Sequence, residues 1–259
     1  MKETRNRLKE AKRIVVKVGS RVLVDETGKP DHERISSLVS GIAVAHEAGR
    51  EMILVSSGAI AAGIEALGLD TRPDTLPGLQ MAAAVGQTRL MSLYGHLFGQ
   101  RHIKVGQILL TDDLLKVEER RTNAKNTLIN LIEHRIVPVI NENDTVATEE
   151  ITFGDNDLLA ALVSTLIEAD ALILLTMTDG LHDENGERVA FIDEMSEDIL
   201  ALDKGANGHL STGGMTSKLL AADQAAKAGA AVIIADGQTD GIIQSILNGD
   251  DTGTLIACG

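Results

Sequence analysis

The chain has 259 residues and a mass of 27.5 kDa, of which 44% are hydrophobic and 24% charged, so it is long enough to bury a sizeable core. This is an ordinary globular composition, which excludes disorder, collagen-like repeats and low-complexity sequence. The 24 Lys and Arg against 38 Asp and Glu give a net charge of −14, and such an acidic surface disfavours nucleic acid and anionic membranes as partners.

The first eleven residues are charged and helix-prone, and they lack the apolar stretch of a signal peptide. Six short apolar runs follow along the chain. They are continuous rather than alternating, which is typical of strands buried on both faces of a parallel sheet. The six runs are residues 14–16, 52–55, 108–110, 136–140, 171–175 and 232–234.

Between these runs, apolar residues recur at helical spacing in three segments. The three sets are Ile35, Leu38, Val39 and Ile42 before Gly49; Leu158, Leu159, Leu162, Val163 and Leu166; and Leu219, Ala222, Ala226 and Ala230, with Gly229 as the helix stop. Alternating strands and helices predict an α/β fold, a three-layer αβα sandwich with a mainly parallel open sheet. We expect one domain over residues 1–259, with an ordered core at about 13–256.

Two stretches, residues 141–157 and 203–218, look irregular and are rich in Gly, Asn, Asp and Thr. Long irregular loops in a compact domain are usually functional or mobile. Ligands of open α/β sheets bind beyond the carboxyl ends of the strands. We therefore expect the functional site at that edge of the sheet.

Two motifs follow the first two strands. Lys17 lies within an apolar strand, where an ammonium group is costly unless it meets an anion. Gly19 and Ser20 follow it with accessible backbone N–H groups. Residues 56–63 (SSGAIAAG) open a helix whose free N–H groups attract an anion. The structural alternative for the first motif is a lysine at a strand edge before a turn. For the second motif it is a tight strand-to-helix turn.

Three further motifs are polar. Residues 140–144 (INEND) and 154–157 (GDND) carry carboxylates and amides that suit the ammonium and carboxyl groups of an amino acid, although loop solvation and helix capping explain them too. Residues 212–218 (TGGMTSK) place two glycines, two hydroxyl groups and a lysine at a helix start, which suits a polyphosphate.

Several other chemistries find no support in the sequence. Walker A spacing, a Gly-x-Gly-x-x-Gly after the first strand, His-Glu-x-x-His and a nucleophile elbow are all absent. The single cysteine, Cys258, forms neither an internal disulfide nor a metal cluster, and we predict no metal-ligand residues. Aromatic residues, at 2%, are too few for stacking on single-stranded bases.

Taken in order, the motifs resemble those of the amino acid kinase family, from about residue 13 to residue 256. The pieces that carry the resemblance are VKVGS at 16–20, SSGAIAAG at 56–63, VPVINENDTV at 137–146, FGDND at 153–157 and TGGMTSK at 212–218. Any one could arise by chance, but five in this order make coincidence improbable. The resemblance implies the amino acid kinase fold.

The resemblance also implies an activity, the phosphorylation of the γ-carboxylate of L-glutamate by ATP with Mg²⁺. In the family this is the first committed step towards proline, and proline commonly inhibits it. The resemblance further implies a homo-oligomer, a dimer or tetramer. The expected location is the cytoplasm, because the sequence has neither a signal peptide nor an apolar segment long enough to span a membrane. Many family members of this kind carry a C-terminal RNA-modification-type (PUA) domain, and this chain stops before it.

Site residues carried over from the family pattern fall into three groups. Lys17 and Lys218 would contact ATP and the transferring phosphoryl group, and Asp157 would orient the two lysines. The residues that would bind the substrate glutamate are Ser57, Gly58, Asp144 and Asn156. Those that would contact ATP are Lys17, Gly19, Ser20, Thr176, Met177, Asp179, Thr212, Gly213, Gly214, Met215, Thr216, Ser217 and Lys218. Family members often have Asp where Met177 stands.

Two alternatives stay open. Within the fold, the acceptor could be another small carboxylate, a carbamate or a phosphate. From a different class, the chain could be a non-catalytic sensor of an amino acid or nucleotide, although a sensor has no need of Lys17, Lys218 and Asp157 together.

Overall fold

The computed structural model describes residues 2–111, 117–146, 156–202 and 214–258. The helices in these ranges are α1 Lys2–Glu10, α2 His32–Glu47, α3 Ala59–Leu67, α4 Leu76–Gly99, α5 Glu118–Glu133, α6 Asn156–Leu166, α7 Glu197–Ala201, α8 Met215–Lys227 and α9 Ile242–Leu247. The strands are β1 Arg13–Val18, β2 Glu51–Val55, β3 Lys104–Leu110, β4 Ile136–Glu142, β5 Ala171–Thr176, β6 Phe191–Ile192, β7 Ala231–Asp236 and β8 Thr254–Ile256. Short 3₁₀ helices cover Ser20–Val22 and Asp144–Val146.

The strands form one sheet in the order β3-β4-β2-β1-β5-β7-β8-β6. Neighbouring strands are parallel except β8, which runs antiparallel to β7. The predicted α/β fold with a mainly parallel open sheet is confirmed, and the six apolar runs lie in six of the strands. Strands β6 and β8 were missed because two or three residues give too short an apolar run to recognise.

The register of β1 explains how the two faces of the sheet are filled. Successive side chains of a strand point to opposite faces. Ile14, Val16 and Val18 therefore lie in the apolar cluster that includes residues of α1, α2, α4 and α9, whereas Val15 lies in the cluster that includes residues of α5, α6 and α8. Lys17 is two residues beyond Val15, so it shares the face covered by α6 and α8.

Two expectations about burial were wrong. Leu109 in β3 is 37% exposed, because β3 is the end strand of the sheet and has only β4 as a described neighbour. Leu158 is 43% exposed, because it lies on the outward side of α6 while Leu159 and Leu162 face the core. The other predicted apolar positions of α2 and α8 are buried, and Gly229 follows α8 with φ of 98°.

The two stretches expected to be irregular are partly regular. Strand β4 continues to Glu142 because Asn141 and Glu142 pair with Leu109 and Leu110 of β3. Residues 215–218 form the first turn of α8. Residues 147–155 and 203–213, which make up more than half of each stretch, lie outside the described residues.

Helices α3 and α4 approach so closely that their backbones touch. A Cβ atom added to Gly86 of α4 would lie 1.7 Å from the carbonyl oxygen of Ala59, and one added to Gly63 of α3 would lie 1.8 Å from that of Ala82. The contact fixes α4 beside the start of α3. Neither α4, with 24 residues, nor any other described helix is both long and apolar enough to cross a bilayer.

Candidate active site

Most of the residues proposed from sequence lie at the carboxyl edge of the parallel strands. Strands β1, β4 and β5 end there, and helices α3, α6 and α8 begin there. The first turn of a helix has unsatisfied N–H groups and the positive end of the helix dipole. Three helix starts at one edge therefore favour an anion at this place.

Lys17, Asp157 and Lys218 meet at this edge. The ammonium group of Lys17 donates a short hydrogen bond to Oδ1 of Asp157, and Nζ of Lys218 lies 3.0 Å from Oδ2 of the same carboxylate. Strand β1 supplies the first lysine, the first turn of α6 supplies the aspartate, and the first turn of α8 supplies the second lysine. The three side chains are 1%, 0% and 7% exposed.

The charges of this cluster are set by its members. Burial alone raises the pKa of a carboxyl group, but the ammonium groups of Lys17 and Lys218 outweigh that effect and hold the pKa of Asp157 below its usual value. Asp157 is therefore ionised at neutral pH. Two ammonium groups against one carboxylate give these three side chains a net charge of +1, which favours an anion beside them.

The start of α8 adds a hydroxyl group to the cluster. Oγ of Ser217 lies 3.0 Å from Oδ2 of Asp157 and 3.0 Å from the carbonyl oxygen of Gly214. Met215 and Thr216 occupy the same helical turn. Thr212 and Gly213 of the predicted nucleotide loop lie outside the described residues.

Asn156 joins the cluster to the ends of β2 and β4. Its amide nitrogen donates to the carbonyl oxygen of Ser56 at 2.6 Å and to Oδ1 of Asn141 at 2.8 Å, and it lies 3.4 Å from Oγ of Ser57. All four of these residues are buried. The structure thus brings Ser57 and Asn156 together, directly beside Asp157.

Behind this polar layer lies a buried tyrosine. The hydroxyl groups of Tyr94 and Ser56 are 2.8 Å apart, and burial raises the pKa of Tyr94 to about 12. Tyr94 therefore stays neutral and anchors Ser56. A single tyrosine near the end of α4 gave no signal of this role in the sequence.

Gly58 shapes the turn between β2 and α3. Its φ of 91° and ψ of 7° lie in the left-handed region, which L side chains rarely adopt. This turn directs the first N–H groups of α3 towards the sheet edge. The residue was proposed for substrate binding, and its backbone conformation is a structural reason for glycine at this position.

Asp144 lies in the 3₁₀ helix after β4, on the side of the site that faces α4. Burial raises the pKa of its carboxyl group to about 6, and the positive charge of Arg72 partly opposes that shift. Arg72 comes from the segment between α3 and α4 and was not recognised as a neighbour of the site in the sequence. A single arginine in a connecting segment forms no sequence pattern that would point to the site.

Residues proposed for the nucleotide side lie along β1 and β5. The N–H of Gly19 donates to the carbonyl oxygen of Leu175 at 3.1 Å, which places the turn after β1 against the end of β5. Ser20 follows in the 3₁₀ helix and is buried. Thr176 ends β5, and Met177 and Asp179 follow it. Met177 is 41% exposed, and Oδ1 of Asp179 lies 3.0 Å from Nε2 of His182.

The fold and the site together define a class of protein. A parallel α/β sheet with a buried lysine pair and three helix starts at its carboxyl edge is built to hold an anionic group. The chain belongs to the amino acid kinase family, whose sequence pattern matches residues 12–236.

Individual proteins extend the comparison. The chain is 47% identical over 250 residues to Glutamate 5-kinase 1 of Bacillus licheniformis, covering 94% of this chain and 68% of that protein. It is 45% identical over 254 residues to Glutamate 5-kinase of Clostridium acetobutylicum, covering 96% and 95%. Among solved structures, carbamate kinase from Giardia lamblia bound to AMP-PNP has a TM-score of 0.68 at 17% identity, covering 96% of this chain and 99% of that one. The structural likeness shows the fold alone.

Proposed function

We propose that this chain transfers the terminal phosphoryl group of ATP to the γ-carboxylate of L-glutamate, giving L-glutamyl 5-phosphate and ADP, the first step of proline biosynthesis. The observation that carries the proposal is the buried cluster of Lys17, Asp157 and Lys218 beside Asn156 and Ser57, in a chain 47% identical to a glutamate 5-kinase. The relatives do not favour another carboxylate, carbamate or a sensor.

The chemistry suits a site without a general base. The side chain of glutamate has a pKa near ~4.3, so at neutral pH it is already a nucleophilic carboxylate. A carboxylate oxygen attacks the terminal phosphorus of ATP, and the bond to the bridging oxygen of ADP breaks, so no proton needs to be removed. Catalysis then rests on alignment and on stabilising the charge of the phosphoryl group.

Lys17 and Lys218 have the charge and position for that task. In the proposed complex they stabilise the negative charge of the phosphoryl oxygens, and Asp157 holds the two ammonium groups in place. Asp157 acts as a positioning residue. Both of its oxygens are engaged by the lysines.

Nucleotide binding is assigned to the turn after β1, the end of β5 and the start of α8. Gly19, Ser20 and the N–H groups of the first turn of α8 would contact the phosphates. Thr176, Met177 and Asp179 would lie near the nucleoside. The part of the chain that the structure describes gathers no three potential metal ligands at one point, so we assign no residue to Mg²⁺. The ion would arrive with the phosphate oxygens of ATP, whose charge it neutralises.

Glutamate is assigned to the opposite side, towards α4. Ser57, Gly58 and Asn156 would contact the reacting carboxylate, and Asp144 would bind the ammonium group. The proposal includes a cytoplasmic location, assembly into a dimer or tetramer and feedback inhibition by proline, all of which stay predictions.

An acceptor-specificity assay tests the proposed function. Purified protein with Mg²⁺ and ATP is offered L-glutamate, L-aspartate, N-acetyl-L-glutamate or carbamate, and ADP release is measured. Hydroxylamine traps an acyl phosphate as the hydroxamate, which identifies the product. We expect ADP release and hydroxamate with L-glutamate at a far higher kcat/KM than with the other three. Equal or better turnover of another acceptor, or ATP binding without turnover, would contradict the proposal.

A further inference from the structure

The side-chain amide of Gln87 in α4 carries a donor that no described residue satisfies. Its nitrogen, Nε2, is buried from solvent yet has no hydrogen-bond partner within the described ranges. A buried donor without an acceptor destabilises the folded state, because the group has lost its hydrogen bond to water. A buried polar group without a partner needs an explanation, and a ligand that accepts its hydrogen bond is one such explanation.

The orientation of this amide is fixed by a chain of three amides that starts at the backbone. The carbonyl oxygen of Ser56 can only accept, so the Asn156 atom 2.6 Å away is its nitrogen. That nitrogen also donates to Oδ1 of Asn141, which accepts from the N–H of Glu142 at 3.0 Å as well. Nδ2 of Asn141 must therefore be the donor to Oε1 of Gln87, at 2.9 Å. Among the described residues, the nitrogen of Gln87 is then the one buried amide atom of this chain of amides that has no partner.

The position of Gln87 in the fold is also fixed, by the packing of α4 against α3. It follows Gly86, whose contact with the backbone of Ala59 locks α4 against the start of α3. At one end of the amide chain, Asn156 adjoins Asp157 of the lysine cluster. At the other end, Gln87 lines a pocket of about 220 Å³ together with Asn143, Asp144 and Thr145.

Gln87 and Asp144, which both line this pocket, carry groups with complementary preferences. The N–H of Gln87 needs an acceptor, and ionised Asp144 attracts a cation. An α-amino acid carries both partners on one carbon atom, a carboxylate and an ammonium group. Its side-chain carboxylate would then extend along the amide chain towards Lys17 and Lys218.

We propose that Nε2 of Gln87 donates a hydrogen bond to the α-carboxylate of the acceptor amino acid and so selects acceptors that carry one. The inference rests on the proposed function and adds a specificity-determining residue to it. Nε2 has no hydrogen-bond partner among the described residues, so its bond to the α-carboxylate would replace no contact within them.

The test uses Gln87→Glu, which keeps an oxygen for Asn141 and replaces the free donor by a negative oxygen. Two substrates are compared, L-glutamate and its α-amide, in which the γ-carboxylate stays free. For L-glutamate we expect kcat/KM to fall about ten- to a hundredfold, mainly through KM, because the α-carboxylate loses a donor and meets a like charge. The α-amide can donate to the new carboxylate, so its kcat/KM should fall far less. The preference for L-glutamate over the amide should drop at least about tenfold.

Controls separate binding from a structural role. Gln100→Glu makes the same change at the exposed end of α4 and should leave both substrates and the KM for ATP unaltered. Gln87→Met removes the polar atoms of the side chain and serves if Gln87→Glu does not fold. It too should lower the preference for L-glutamate over the amide.

Equal losses for both substrates in the Gln87 variants would show that the residue only holds Asn141, and unchanged kinetics would show no role at all; either result overturns the inference while the proposed function stands. Wild-type protein that fails to phosphorylate L-glutamate overturns the proposed function itself, and this inference with it.

Discussion

Asp144 and Asp157 show how the same side chain acquires two different charge states from its surroundings. Asp157 is fully buried but faces two ammonium groups, so its pKa stays below the usual value. Asp144 is partly buried beside one guanidinium group, and its pKa rises to about 6. The first is a permanent anion that holds lysines in place, and the second titrates within the range of ordinary assays.

We expect the raised pKa of Asp144 to appear in the pH profile. Its ionised form is the one that would bind the substrate ammonium, so kcat/KM for L-glutamate should fall about tenfold per pH unit below pH ~6. Stability should not fall with it. The pKa of Asp144 is about 6 in the folded protein and 3.8 for an unperturbed aspartate, so lowering the pH between these values favours the folded state.

Measuring kcat/KM and thermal stability from pH 5 to pH 8 checks this expectation, with Asp144→Asn as the comparison. The variant should have a low kcat/KM throughout and should lack the acid limb with a midpoint near pH 6. An unchanged limb in Asp144→Asn would assign the titration to another group.

Among the helices, α3 and α4 form the contact on which the acceptor side of the site depends. The glycines at 63 and 86 let the two backbones touch, and that contact holds Tyr94 and Gln87 of α4 against the ends of β2 and β4. Backbone atoms cannot move aside as a flexible side chain can. An added methyl group must therefore separate the helices.

Gly86→Ala should destabilise the protein strongly. We expect a loss at or above the upper end of the ~1–3 kcal/mol typical of overpacking, with a fall in the melting temperature of several degrees. Gly95→Ala is the matched control, because a Cβ there meets nothing within 4 Å and alanine favours a helix by about 1 kcal/mol. Thermal unfolding of both variants decides the matter; a Gly86→Ala protein as stable as Gly95→Ala would refute the close contact.

The sequence predicted elements that have a strong local pattern. Six strands were recognisable because each is a run of apolar residues, and α2 because Ile35, Leu38, Val39 and Ile42 repeat at helical spacing. Helix α4 was not predicted, because half of its buried positions are the small residues Ala82, Ala83 and Gly86, which interrupt the helical repeat of large apolar side chains. Strands β6 and β8 depend on pairing with distant partners, which leaves no local signal.

The site was predictable in its charged members and not in its neutral ones. Lys17 attracted attention because an ammonium group in an apolar strand needs an anion, and the structure supplies Asp157 for it. Gln87, Tyr94 and Arg72 had no comparable signal. They come from α4 and from the segment before it, and only the folded chain brings these segments to the ends of the strands.

The whole molecule carries a net charge of −14, which opposes two anionic substrates at long range. Salt screens that field beyond ~8 Å at physiological ionic strength, whereas buried groups at contact distance are screened much less. The lysine cluster is almost completely buried. Attraction at the site should therefore survive salt while repulsion at a distance weakens.

This difference leads to an expected salt dependence. Raising the ionic strength from about 0.01 M to 0.15 M should leave kcat nearly constant and should lower, or leave unchanged, the KM values for ATP and L-glutamate. Steady-state kinetics in NaCl and in KCl check this and control for a specific ion effect. A steep rise of both KM values with salt would mean that exposed surface charges bind the substrates.

Turnover of Lys218→Met, measured beside Lys227→Met with ATP and L-glutamate, tests the lysine cluster most directly. Both lysines lie on α8, but Lys218 contacts Asp157 while Lys227 is exposed and pairs with Asp223 one turn away. Loss of one stabilising charge at the reacting group should lower kcat by about 10²–10³, while Lys227→Met stays near the wild-type value. A folded Lys218→Met protein with near-normal kcat would contradict phosphoryl transfer at this cluster.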